Sequence, residues 1–359
     1  MKPKLFMDIH VIQTVPPSCL NRDDTGSPKT AVYGGARRAR VSSQSWKRAM
    51  RLMFNEHLDV SELSYRTLKI FDLVADKILE KSSEYTREDA LVMAKEMLKK
   101  AKVEPSKKDA DKSEALFFLS DKQAENLASL ALEGLDDKET TKAVVQTLKA
   151  NNGVDLALFG RMVASNPDIN CDASAQVAHA ISTHRIENEY DYFTAVDDLS
   201  TEEHAGAGMI GTVEYNSATL YRYATVAVHE LFVQLSKDSS ALERALREFI
   251  RAFVLSMPSG KQNTFAAHTL PYAVMVSLRS DRPLNLVDAF EKPIKSTEGF
   301  TLPSAEEFAK HAMKSYSEFC TKPVSSYTVG EFLPELGKKL NLDELLIEAV
   351  KDTVERIMS

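Results

Sequence analysis

The chain opens with alternating apolar and polar residues. In LFMDIHVIQTV, Leu5, Met7, Ile9 and Val11 share one face, while Asp8, His10 and Thr14 share the other, which predicts a strand. Alternation returns in SATLYRYATVAVHELFVQL, where Leu220, Arg222, Ala224, Val226 and Val228 oppose Tyr221, Tyr223, Thr225, Ala227 and His229; this stretch predicts one long strand. VDLALFGRMVAS predicts a strand entering a loop, and YAVMVSL another strand. Elsewhere the apolar spacing is three and four. YRTLKIFDLVADKILEK, REDALVMAKEMLKKAK, ALERALREFIRAFVLSM and DELLIEAVKDTVERIM predict amphipathic helices. Ser120 with Gln123, and Ser304 with Glu307, have the spacing of capping boxes.

The segment from about Glu62 to Ala150 is helical in pattern and reads as an insertion. With it set aside, the order is strand, helix, strand, strand, helix, strand. That order predicts an α+β fold, the split βαβ, ferredoxin-like arrangement shared by RNA-recognition (RRM-like) domains. Between the second and third of these strands lies HRIENEYDYFTAVDDLSTEEHAGAGMIGTVEYN, which suits a protruding hairpin. A long polar loop, PPSCLNRDDTGSPKTAVYGG, follows the first strand.

Composition narrows the class. The 359 residues are 43% hydrophobic and 27% charged, the balance of a soluble globular protein. No apolar run approaches the ~20 residues of a membrane span, and no signal-peptide pattern appears. Cys19, Cys171 and Cys320 lie far apart, which excludes a disulfide scaffold and a paired CxxC zinc pattern and fits a reducing cytoplasm.

Against a formal net charge of -7, one stretch is conspicuous. YGGARRARVSSQSWKRAMR carries Arg37, Arg38, Arg40, Lys47, Arg48 and Arg51 and no acid. Ser42 or Ser43 can cap the helix that follows. Trp46, Ala49, Met50 and Met53 fall on one arc of it, and Gln44, Lys47, Arg48 and Arg51 on the opposite arc. A cationic arc, a glycine pair that admits a close backbone, and a helix N-terminus together suit phosphates. Tyr192 and Phe193, beside Thr194 in a polar setting, can stack on bases.

Other motifs carry less. GAGMIG, Gly206–Gly211, matches GxGxxG but lacks the preceding strand and following helix of a dinucleotide site. Lys261, Gln262 and Asn263, in PSGKQN, form either a phosphate-contacting loop or a solvated turn. His179 and His184 have no partners in metal-ligand spacing. Asp23 and Asp24, in NRDD, could hold Mg²⁺ for phosphodiester cleavage or form an Asx turn around Arg22. A metal-dependent ribonuclease and a protein-interaction module without direct RNA binding are therefore the rival readings.

PPSCLNRDD, YGGARRARVSSQSWKRAMR, GVDLALFGRM, HAISTH and DYFTAVDDL, in that order and spacing, resemble the CasC family, the backbone subunits of type I-E CRISPR Cascade complexes. The resemblance implies a non-enzymatic protein without cofactor or metal, shaped like a right hand. The palm would comprise residues 1–60, 154–185 and 218–300, the helical fingers 61–153, the thumb hairpin 186–217, and C-terminal helices 301–359. It implies several copies stacked head to tail on a CRISPR RNA, presenting bases to target DNA in antiviral defence, with CasA, CasB, CasD and CasE as further partners and no membrane. Base pairing would read sequence while the protein reads backbone and shape. Arg22, Ser42, Gln44, Lys47 and Arg51 resemble the family's RNA-backbone contacts, Met162 the residue that wedges beside a kinked base, and Tyr192, Phe193 and Thr194 the thumb tip. Tyr192 stands where the family pattern has tryptophan, and Trp46 where it has a smaller apolar residue. Some relatives in type III complexes cut RNA with a loop aspartate, which bears on Asp23 and Asp24.

Overall fold

Strand β1 (Phe6–Ser18) is buried on both faces, so the sheet around it is covered on both sides. The computed structural model describes residues 4–133, 137–195, 209–331 and 334–359. After β1 come the hairpin β2 (Thr30–Tyr33) and β3 (Ala36–Val41), then α1 (Ser43–His57). β4 (Ser64–Thr67), α2 (Ile70–Lys81), α3 (Arg87–Lys100), β5 (Phe117–Ser120), α4 (Asp121–Glu133) and α5 (Asp137–Lys149) form the helical block. Next are α6 (Val154–Phe159), β6 (Ala175–Val177), β7 (Ala180–Ser182), β8 (Glu189–Ala195) and β9 (Met209–Ala227). α7 (Val228–Gln234), α8 (Ser239–Leu255), α9 (Gln262–Phe265), β10 (Ala273–Arg279), α10 (Thr301–Glu318), β11 (Ser325–Gly330), β12 (Lys338–Lys339) and α11 (Leu342–Met358) follow.

The strand order is β12-β11-β10-β1-β9-β7-β3-β2, with β6 and β8 also paired to β9. Its centre, β10-β1-β9 flanked by β6 and β7, is antiparallel, and α1 and α8 pack together over one face. This is the α+β, ferredoxin-like order expected from the sequence. Met7, Ile9 and Val11 of β1 and Leu220, Ala224 and Val226 of β9 point into the core beneath α1 and α8. The opposite face is buried too: Ile12, Tyr221 and Tyr223 pack with Phe290 and with Phe308 of α10. The polar partners of that face satisfy one another. The Tyr223 hydroxyl donates to Asp8 at 2.9 Å, and His10 Nδ1 lies 2.9 Å from the Tyr221 hydroxyl.

The helical block has a core of its own, built from α2, α3, α4 and α5 with Phe117 and Leu119 of β5. Ile169 and the half-buried Val163, from the 154–185 segment, pack into that core as well. Ser120 and Gln123 do form the expected reciprocal cap, at 3.3 and 3.0 Å. No helix among the described residues is long and apolar enough to cross a membrane.

Several elements differ from the sequence expectation. VDLALF is the helix α6 rather than a strand, because a short apolar run bears no period that separates the two. The long strand β9 stops at Ala227, and VHELFVQ coils into α7. Helix α10 starts at Thr301, ahead of the Ser304–Glu307 pair, so Ser304 is not a cap; its hydroxyl lies 2.5 Å from the Phe300 carbonyl, one turn back, and 2.8 Å from Thr183 Oγ1. Arg37, Arg38 and Arg40 lie on a strand that the sequence reading did not assign, β3.

One buried cation joins the layers. Arg222 of β9 is 1% exposed and has no ion-pair partner among the described residues. Its guanidinium stacks 3.7 Å from the Trp46 ring of α1 and 4.8 Å from the Phe253 ring of α8. It donates to Gln13 Oε1 at 2.5 Å and to the Phe253 carbonyl. Gln13 in turn donates to the Thr269 carbonyl at 2.7 Å, tying down the loop after α9. Burial pulls the Arg222 pKa down to about 9, so at neutral pH it stays charged and depends on rings and carbonyl dipoles. Trp46→Ala removes a fully buried ring and one wall of this sandwich. It should lower the unfolding free energy by about 3–5 kcal/mol in a urea titration. A loss within experimental error would contradict the arrangement.

Candidate nucleic-acid interface

Helix α1 begins at a true N-cap. Ser42 Oγ accepts the Ser45 N–H at 3.4 Å, and the Ser42 N–H donates to Asn21 Oδ1 at 2.8 Å. Ser42 is therefore buried and turned toward the protein, and its link to Asn21 places the Arg22 loop beside the start of the helix. Trp46, Ala49, Met50 and Phe54 form the inner arc. Gln44 and Arg48 are exposed, while Lys47 and Arg51 are half-buried on the outer arc.

Lys47 and Arg51 are set on aromatic rings. The Lys47 ammonium stands 5.6 Å from the Phe159 ring centroid, and the Arg51 guanidinium 5.7 Å from that of Phe118. Neither makes an ion pair among the described residues. Desolvation lowers the pKa of both below the usual range; the Asp155 carboxylate opposes this for Arg51, and the positive charges of Arg66 and Arg48 reinforce it. Arg66 of β4 pairs in register with Phe118, so it flanks the ring under Arg51. Half-desolvated cations that make no ion pair gain more from an incoming phosphate than solvated, paired ones do.

Three residues beyond Phe159, Met162 is 87% exposed. Its backbone is fixed: Arg161 and Cys171 exchange two backbone hydrogen bonds, at 2.8 and 2.9 Å. Gly160 has φ +75°, and a Cβ there would stand 2.8 Å from the Cys171 carbonyl. A large apolar side chain thus projects into solvent three residues beyond the ring that carries Lys47.

On the far side of α1 a cleft is lined by Arg22, Asp23, Asp24, Ser45, Arg48 and the Pro258–Ser259–Gly260 turn. Gly260 lies against residue 20, where a Cβ would stand 2.2 Å from the Leu20 carbonyl. Lys261 follows in a left-handed conformation, φ +51°. The Gln262 side chain is spent internally, donating to the Pro258 carbonyl and accepting from the Ala267 N–H, whereas Asn263 is exposed. Asp23 Oδ1 accepts from the Thr25 N–H, the Thr25 hydroxyl and the Ser27 N–H, which lowers its pKa and makes it an Asx turn. Among the described residues no three His, Cys, Asp or Glu side chains gather as a metal-ligand set.

The basic stretch divides. Arg38 is fully buried and donates to the carbonyls of Tyr33, Ser182, Phe290 and Glu291, so it is a structural latch. Arg40 donates to the Thr30 carbonyl and lies 3.1 Å from His179 Nδ1. Arg37 is exposed. The backbone that Gly34 admits is the protein's own, since a Cβ there would overlap the Glu291 carbonyl. His184 stacks on Phe300 at 3.7 Å; its Nε2 accepts the Thr219 N–H and its Nδ1 donates to the Arg185 carbonyl, so it is a satisfied, neutral ring.

Strand β8 pairs with the outer part of β9, setting Tyr192 opposite Thr212, Phe193 opposite Gly211 and Thr194 opposite Ile210. The Phe193 ring lies over Gly211, where a Cβ would stand 2.5 Å from it. Tyr190 and Tyr192 are exposed on one face of this ribbon. The three expected tip residues are therefore on a strand. Residues 196–208, with Gly206 and Gly208 of GAGMIG, lie outside the described residues. Tyr215, at the base of the ribbon, meets Phe265 of α9 at 5.6 Å.

Residues 7–353 match the family described as CT1975-like protein. The chain belongs to that family. Two solved structures are similar to it over nearly its whole length. A chain of a "CRISPR RNA-guided surveillance complex, pre-nicking" is 33% identical, with a TM-score of 0.83 over 96% of this chain and 100% of that one. A chain of a "CRISPR RNA-guided surveillance complex" is 29% identical, with a TM-score of 0.62 over 96% of this chain and 99% of that one. No curated protein matches the sequence. In this family member the structure brings Arg22, Gln44, Lys47, Arg51 and Met162 around one helix, with Lys261 beside the Arg22 loop and Tyr192 on a separate ribbon. Phe118, Phe159 and Arg66 were missed by sequence reasoning, since nothing in their spacing relates them to α1.

Asp155, buried at the start of α6, links this site to pH. Desolvation raises its pKa to about 7, against the lowering pull of Arg51 and the Leu156 N–H. The folded state thus holds this proton more tightly than the unfolded chain, whose carboxyl titrates near 3.8. The stability this contributes is full below that value and is lost as pH rises through about 7. Asp155→Asn should therefore gain stability relative to the parent between about pH 4 and pH 8 in paired denaturant titrations. A difference that does not change with pH would contradict the buried carboxyl.

Proposed function

We propose that this protein is a component of a CRISPR RNA-guided surveillance complex, namely its CasC-type backbone subunit in a type I-E Cascade. It polymerises along the CRISPR RNA without cutting it and leaves bases free to pair with target DNA. The observation that carries the reading is the row of Lys47 and Arg51, half-buried, without acid partners, seated on Phe159 and Phe118 beside the exposed Met162. Phosphates would neutralise the row, while an apolar wedge has no use for a phosphate but can displace a base. Likeness over the full length to chains of two such complexes supports it. The exposed aromatic ribbon of β8 and β9 suits contact with a neighbouring copy's RNA, and CasA, CasB, CasD and CasE remain the expected partners. The acidic body suits a single positive track.

The experiment is a salt titration of RNA binding. Replacing Lys47 and Arg51 by Ala should weaken binding of a single-stranded guide and flatten the log–log salt slope by about 1.4, at roughly 0.7 per phosphate contact. Unchanged affinity and slope would remove α1 as the RNA face. RNA cleavage with Mg²⁺ that disappears on Asp23→Ala or Asp24→Ala would overturn the non-catalytic part.

A further inference from the structure

Arg161 lies within FGRM, between the ring that carries Lys47 and the exposed Met162, yet it is 5% exposed. Each N–H of its guanidinium meets a neutral oxygen. Nε and Nη2 donate to the Ile169 carbonyl at 3.1 and 2.9 Å, and Nη2 also to the Leu148 carbonyl at 2.5 Å. Nη1 donates to the Phe118 carbonyl at 2.8 Å and to Gln123 Oε1 at 3.2 Å. Its guanidinium also lies 4.9 Å from the Phe117 ring centroid.

These acceptors come from β5, the end of α5, α4 and the turn at Pro167–Ile169, so one side chain gathers four segments of the helical block. Phe118 appears twice: its carbonyl holds Arg161, and its ring lies beneath Arg51. The planar fork can satisfy all of these oxygens at once, which an ammonium cannot. A second tie lies on the surface, where Asn170 Oδ1 accepts the Val163 N–H at 2.6 Å, just past Met162.

We propose that Arg161 is a positioning residue of the RNA site. It fixes where Met162 projects relative to the Lys47–Arg51 row, so that the displaced base and the held phosphates stay in register. This rests on the RNA-binding reading above. Loosening Arg161 should blur the position of base displacement while leaving the phosphate contacts intact, because Lys47 and Arg51 are carried by α1.

The test uses the full chain assembled on guide RNAs in which 2-aminopurine replaces one base at successive positions. In the parent, fluorescence should be high at unstacked positions and low between them, and Met162→Ala should lose that contrast. Arg161→Lys and Asn170→Ala should each lose contrast toward the Met162→Ala pattern, with the salt slope of binding unchanged. If Arg161→Lys does not fold by circular dichroism, Asn170→Ala decides alone. Parent contrast that Met162→Ala removes but both of these variants retain would overturn the positioning role and leave the RNA reading standing. A parent that shows no contrast at any position would overturn both.

Discussion

The helix that carries Lys47 and Arg51 is seated on the guanidinium of Arg222, a buried charge with no ion-pair partner among the described residues. Leaving a cation unpaired in a core is costly unless rings and carbonyls take the place of a carboxylate. Here Trp46, Phe253 and Gln13 do so, and each belongs to a different element: α1, α8 and β1. Gln13 also reaches the Met257 sulfur at 3.2 Å, which ties in the segment after α8 that lines the cleft. The bulk of Trp46 thus has a clear use. It caps a cation on the inner arc of the helix whose outer arc carries Lys47 and Arg51.

Arg161 repeats this logic on the other side of the track, again buried, again served by neutral oxygens. Arg222 therefore anchors the helix that carries Lys47 and Arg51, and Arg161 the segment that carries Met162. That division explains how an acidic chain can present one cationic row. Some other surface cations are engaged with acids, as in Arg87 with Asp72 and Asp76, or Lys338 with Glu348.

Much of this was legible because periodicity reports which face is buried. The alternation of β1 and β9 and the inner arc of α1 emerge as read, since the face beneath α1 and α8 is aliphatic while the other face of the strands carries Asp8, His10, Tyr221 and Tyr223. Where the run is short, period fails, as in VDLALF and VHELFVQ. Charge was the less faithful guide. Arginine reads as exposed, yet Arg38, Arg161 and Arg222 are internal because their acceptors are backbone carbonyls far away in sequence, which no local pattern displays. The candidate site was half visible for the same reason: Lys47 and Arg51 show in the helical arc, but the rings of Phe118 and Phe159 under them come from another segment of the chain.

The central claim is that RNA runs along the outer arc of α1 past Met162. Ultraviolet cross-linking of the assembled protein to its guide RNA, read by peptide mass spectrometry, tests it most directly. The account predicts cross-links on peptides containing residues 44–51, on the Phe159–Met162 segment and on β8. Cross-links confined to the opposite face, on α10 or α11, or none in an assembly that contains RNA, would contradict it.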